Sequence, residues 1–366
     1  MIGGAYIQPQ NDTTGRITHD PMTTLITRVF VRPAATLLAF GAVALTGACA
    51  PTRSDGGRES TRPAAVEYYV RGEQAWRAGD KTQAEQEYRA AVQHNPNLRM
   101  AQSRLGDINR ARGDYQAASR HYEAVARLDP YGVDSHYNLG LTYQFLNRLQ
   151  DAAASYLRAL QLRPTDARAN MNLGLVYLAL NQFDDAIRYL QRATELQPRW
   201  AVAWSNLGVA LDARGDVARA EQVYRRSLEL DSNSPTTLQN LASNLMTQGK
   251  AREAVAVMEQ VIGRVDNAAT RKRYGDALVQ ARRFEEGLRE YDAALKLDKR
   301  FYPAMNEKAF LLIRQYREGL ELDAGKRQAA IALWKESLRL NADQPEIRRQ
   351  LEKAENPQVF GTGNGK

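Results

Sequence analysis

Four asparagines, Asn138, Asn172, Asn206 and Asn240, follow one another at intervals of 34 residues. A carboxamide carries two hydrogen-bond donors and one acceptor oxygen. A row of them can therefore pair with both the N–H and the C=O of an extended peptide without reading its side chains. The neighbours are mostly apolar: Tyr137 and Met171 stand one residue before, and Leu141 and Leu175 three residues after. An apolar groove with regularly spaced amides suits a peptide better than a charged ligand. The same asparagines would equally serve to cap or bridge adjacent helices, and the apolar neighbours to pack between them. Both readings stand on the sequence.

Other chemistry is sparse. The chain has one cysteine, Cys49, and four histidines. That excludes a disulfide framework and a cysteine-ligated zinc site. His94, His121 and His136 fall on separate elements, and no Ser/His/Asp order, H-E-x-x-H helix, complete phosphate loop or dinucleotide fingerprint occurs. No metal, cofactor, catalytic residue or small-molecule substrate is expected. The Gly361–Lys366 tail lacks the first glycine (Phe360 stands there), the final Ser/Thr and the following helix of a phosphate loop.

The net charge of +8 is modest for 366 residues, and both signs are abundant, which argues against a nucleic-acid partner. Residues 268–366 hold twenty basic and fifteen acidic side chains. There Arg271-Lys272-Arg273 and Arg282-Arg283 replace apolar and amide positions, with Arg273 on the asparagine step. This suggests an acidic partner segment or an anionic surface; a solvated face in a chain of forty Arg and ten Lys is the weightier reading.

Arg28 and Arg32 precede an apolar run from Pro33 to Cys49 that ends in small residues. A basic stretch, a short apolar stretch and small residues describe an export signal. Leu45-Thr46-Gly47-Ala48-Cys49 resembles the bacterial lipoprotein signal, with Leu45 four residues before the cysteine in place of the commoner three. That resemblance implies lipidation at Cys49. With Ala50 after it and no aspartate, it implies an outer-membrane lipoprotein facing the periplasm. An uncleaved inner-membrane anchor and a secreted soluble form remain open. Met22 offers an alternative start that would give a signal of ordinary length.

The elements that must position the asparagines follow a 34-residue period. Pro96, Pro130, Pro164 and Pro198 keep it, as do Ala84, Ala118, Ala152, Ala186, Ala220 and Ala254. Gly72, Gly106, Gly140, Gly174 and Gly208 form a third series, and Tyr88, Tyr122, Tyr156, Leu190, Tyr224, Met258 and Tyr291 a fourth. Each unit reads as two amphipathic helices joined by a turn, at Gly79, Gly113, Asn147, Asn181, Gly215 and Gly249. Gly140, Tyr143, Ala152, Tyr156, Ala159 and Pro164, repeated at Leu173, Gly174, Tyr177, Ala186, Ala193 and Pro198, resemble the tetratricopeptide repeat family. Peptide-binding superhelices of that family carry a similar asparagine ladder.

The resemblance implies an all-α, right-handed superhelical α-solenoid whose concave groove is lined by the first helix of each unit, at positions 2, 6, 9 and 13. We expect a signal segment over 1–48, a lipidated cysteine and tether over 49–64, and seven units over 65–301. An eighth unit with an insertion covers 302–342, a capping helix 343–355 and a disordered tail 356–366. The expected function is a non-catalytic scaffold of the cell envelope that binds a protein or extended peptide and meets the membrane through its lipid. The alternatives are an accessory subunit docking an envelope transferase or hydrolase, and a cytoplasmic or inner-membrane adaptor.

Overall fold

The computed structural model describes residues 61–319 and 323–356. The signal segment, Cys49, most of the tether and the tail lie outside the described residues. Among those described, the structure is seventeen α-helices and no strand, an all-α solenoid. They divide into two compact units, one ending at Arg199 and the other beginning at Trp200.

The first unit holds α1 (Thr61–Arg77), α2 (Lys81–His94), α3 (Arg99–Ala111) and α4 (Tyr115–Leu128). It continues with α5 (Val133–Phe145), α6 (Leu149–Leu162), α7 (Ala167–Ala179) and α8 (Phe183–Leu196). Odd and even helices pair as hairpins, and each hairpin packs on the next within the unit. Helix α1 starts at Thr61, so the end of the segment read as tether is helical.

The second unit holds the hairpins of α9 (Ala201–Arg214) with α10 (Val217–Leu230) and α11 (Pro235–Thr247) with α12 (Ala251–Ile262). Then come α13 (Ala268–Gln280) with α14 (Phe284–Leu297), and α15 (Tyr302–Glu318) with α16 (Ala324–Leu340). Helix α16 begins at Ala324, where Asp323 caps it by accepting from Gly325 and Lys326 N–H. Helix α17 (Pro345–Glu355) turns Ile347 and Ala354 onto Ala309, Ile313 and Trp334. Gln344 is its N-cap residue. The Arg327 guanidinium donates to the Ala354 and Glu355 carbonyls at its far end.

Local chemistry sets the helix ends. Asn95, Asp129, Arg163 and Gln197 each precede a proline and sit outside the helical region, with ψ between 79° and 95°. The ring of the following proline disfavours the helical conformation there, and Asp231, Asp298 and Asn341 end their helices in the same region with no proline after them. Hairpin turns need one left-handed residue; Gly215 supplies it at φ 91°, while Asn147, Asn181 and Arg282 adopt it at 57–62°. The tightest contact lies inside the hairpins. A Cβ placed on Gly208 would sit 2.5 Å from the buried Tyr224 ring, and one on Gly140 2.8 Å from Tyr156.

That contact is testable. Gly208→Ala should cost about 1–3 kcal/mol through overpacking. Ala242→Gly, where Met258 replaces the tyrosine, should cost only about 1 kcal/mol of helix propensity. Urea denaturation followed by circular dichroism measures both, and equal losses would remove the ring contact as the cause.

Candidate functional site

Each buried tyrosine that packs on a glycine brings a hydroxyl into the hairpin, and the first helix supplies its acceptor. Tyr88 donates to Glu73 at 2.8 Å, Tyr122 to Asp107 at 2.7 Å and Tyr291 to Asp276 at 2.9 Å. In two hairpins the acceptor lies one turn further on: Tyr156 donates to Gln144 at 3.0 Å and Tyr224 to Asp212 at 2.9 Å. Where Leu190 or Met258 replaces the tyrosine, these places hold Leu175 and Leu178, or Ser243 and Met246. Burial drives the Tyr156 phenol well above its ordinary pKa. Burial also raises Asp212, against the hydrogen bonds from Asn244 and Tyr224.

The asparagines are not a uniform open row. Asn172, Asn206 and Asn240 are buried, and so are Tyr137, Met171 and Leu175; Asn138 and Leu141 are half-buried. Asn172 on α7 donates to the Tyr137 hydroxyl on α5 at 3.0 Å. Arg168 lies over the same ring, 5.0 Å from its centre. Asn172 thus bridges adjacent first helices, as one of the two sequence readings allowed. Of the four asparagines Asn138 is the most open.

Asn138 opens into a cavity of about 290 Å³ in the first unit. Helix α3 contributes Arg99, Met100, Ser103, Arg104 and Asp107; α5 adds Asp134 and Ser135; Tyr69 comes from α1, and Tyr122 and Val125 from α4. The two arginines are already engaged. Arg104 forks onto Glu73 at 2.6 and 2.9 Å, and Arg99 pairs with Asp129. Burial alone would raise the Glu73 carboxyl, but Arg104 and Tyr88 hold it below its ordinary value. The sequence reading missed these residues, although one 34-residue step back from Asn138 reaches Arg104, and Asp134 is position 2 of the expected groove face.

The basic stretch of the second unit is largely neutralised. Arg271 pairs with Asp266 and Glu290, Lys272 with Asp276 and Glu307, and Arg283 with Glu286. Arg273 donates to Gln239 at 3.1 Å. The histidines go separate ways: His94 stacks on Tyr68, His121 meets Gln102 and His136 meets the Pro130 carbonyl. Among the described residues no group of three His, Cys, Asp or Glu is placed to hold a metal, and no helix is long and apolar enough to cross a membrane.

Two family profiles match this architecture. One, described as a tetratricopeptide repeat, covers residues 171–235 and 240–306. Another, described as a TPR repeat, covers 106–144 and 146–181. Among solved structures, a tetratricopeptide repeat protein from Parabacteroides merdae is similar at 19% identity and a TM-score of 0.52, over 64% of this chain and 94% of that one. The APC/C hetero-tetramer Cut9–Hcn1 is similar at 14% identity and 0.52, over 76% of this chain and 54% of that one. MamA is similar at 27% identity and 0.43, over 45% and 90%. No curated protein matches the chain.

The hydroxyl–acceptor pairing predicts a double-mutant cycle. Gln144→Leu should cost about 1–3 kcal/mol by stranding the buried Tyr156 hydroxyl. Adding Tyr156→Phe should restore most of the loss, since the Leu178–Leu190 hairpin needs no acceptor. Strictly additive urea-denaturation energies would sink the pairing.

Proposed function

The chain belongs to the tetratricopeptide repeat family, and from that premise we propose that it is a non-catalytic scaffold of the cell envelope, holding an extended peptide or partner protein against the first-helix face of its repeats. The cavity among α1, α3, α4 and α5 carries this reading. It is concave, it combines aromatic and thioether surface with polar groups, and the Asn138 carboxamide stands at it with no hydrogen-bond partner for its side chain among the described residues. Such a group can take up a peptide N–H or C=O at little cost of reorganisation. The family's fold supports protein binding in general; the peptide, the groove and the compartment are our reading.

The envelope assignment rests on the resemblance of Leu45–Cys49 to a lipoprotein signal. On this reading Cys49 carries the lipid, the outer membrane holds the chain and the repeats face the periplasm. The partner is then another envelope protein.

Two outcomes follow. Asn138→Ala should weaken binding to an array of 15-residue extended peptides about fivefold, the worth of one hydrogen bond, without shifting the thermal midpoint. Equal binding by both proteins would remove Asn138 from the site. Cells expressing the full chain should incorporate labelled palmitate, and Cys49→Ser should abolish it; label retained in the variant would refute the anchor.

A further inference from the structure

The groups around the first unit's cavity differ in what they have left to offer. Arg99 is committed to Asp129 and Arg104 to Glu73. Asp107 accepts from Tyr122 at 2.7 Å and lies 4.0 Å from Arg110. Each of these charges is balanced by a neighbour. Asp134 is not. It is exposed in the first turn of α5, and no described residue pairs with it.

The remaining polar groups at the cavity are Ser103, Ser135 and Asn138, whose side chains make no hydrogen bond with described residues. With Asp134 they offer acceptor oxygens beside one uncompensated negative charge. The apolar surface open at the cavity is Met100 and the Tyr69 ring, above a floor of the buried Val125 and Tyr122. A long aliphatic stem that ends in a cation matches this combination. The stem lies on the Met100 thioether surface, the cation meets the Asp134 carboxylate and the Tyr69 ring, and its N–H groups find oxygens. An acidic side chain fits poorly, because both arginines are engaged and Asp134 would repel it.

We propose that this cavity seats a lysine or arginine side chain of the bound segment. The proposal rests on the peptide-binding reading above and names the chemistry it selects. The peptide's central residue enters the cavity, its backbone runs past Asn138, and its positive charge is neutralised by Asp134. Selection is thus for basic segments, although the chain itself is basic.

The test uses the full chain and fluorescein-labelled nonapeptides of alternating Ala and Ser with Lys, Arg, norleucine or Glu at the centre, titrated by anisotropy. Lys and Arg peptides should bind about fivefold more tightly than norleucine, as expected of one partly exposed charge pair, and Glu more weakly. Asp134→Asn should bring the Lys peptide to the norleucine level with an unchanged thermal midpoint; Asp134→Ser serves if the amide variant unfolds. A Lys preference that survives both substitutions, or equal Lys and norleucine affinity in the wild type, overturns the proposal. If norleucine binds and Lys gains nothing, the peptide-binding reading survives alone. If no peptide binds, both fall.

Discussion

The contact on which the rest depends is the one between a glycine in the first helix of a hairpin and a tyrosine ring in the second. Gly72, Gly106, Gly140, Gly208 and Gly275 each face such a ring at a distance where no Cβ fits. The close approach lets a large ring fill the hairpin's interior, and Tyr88, Tyr122, Tyr156, Tyr224 and Tyr291 are all among the most buried large side chains. It also imposes a debt, because a phenol hydroxyl enters an apolar interior and needs a partner. The first helix meets it with a carboxylate or an amide. Hairpins centred on Leu190 and Met258 carry no such hydroxyl and no such acceptor.

Where the acceptor sits decides what the first-helix face can display. Glu73, Asp107 and Asp276 occupy position 9 of their units, a position counted toward the groove. With Gln144 and Asp212 the hydroxyl is satisfied one turn later, and position 9 is released to Leu141 and Val209. Charged and apolar stretches of the face therefore follow from internal packing. At the charged end, Glu73 engages both Tyr88 and Arg104, which takes Arg104 out of play for any ligand. The cavity's preference is thus partly set inside the hairpins.

Much of the fold was legible in the sequence because its constraints act at fixed spacing. Prolines recur where second helices end, glycines where rings press, and small or amide residues where the turn is left-handed. Arg282 was not read as a turn residue, since its side chain gives no sign of a φ of 62°; only the count from Gly249, one residue short of the 34-residue step, marks the place. The candidate site was read less well. One helical position can line a groove and touch the neighbouring helix, so residue type alone does not separate Asn138 from Asn172. What separates them is the Tyr137 hydroxyl, which Asn172 reaches across 35 residues of chain. The arginine run was legible as charge but not as pairs, because Asp266, Glu290 and Glu307 come from three different elements.

For each of the five glycine-facing tyrosines the hydroxyl and its acceptor belong to the same hairpin, which bears on how such an array can change over generations. Duplicating or deleting a whole hairpin carries both partners together and orphans neither. A crossover inside a hairpin, between a unit carrying the tyrosine and the one carrying Leu190, would join Tyr156 to a first helix lacking Gln144, or leave Asp212 facing leucine. Gene rearrangements that survive should therefore break at the proline-bearing joints between hairpins, which makes the hairpin the heritable unit of this chain.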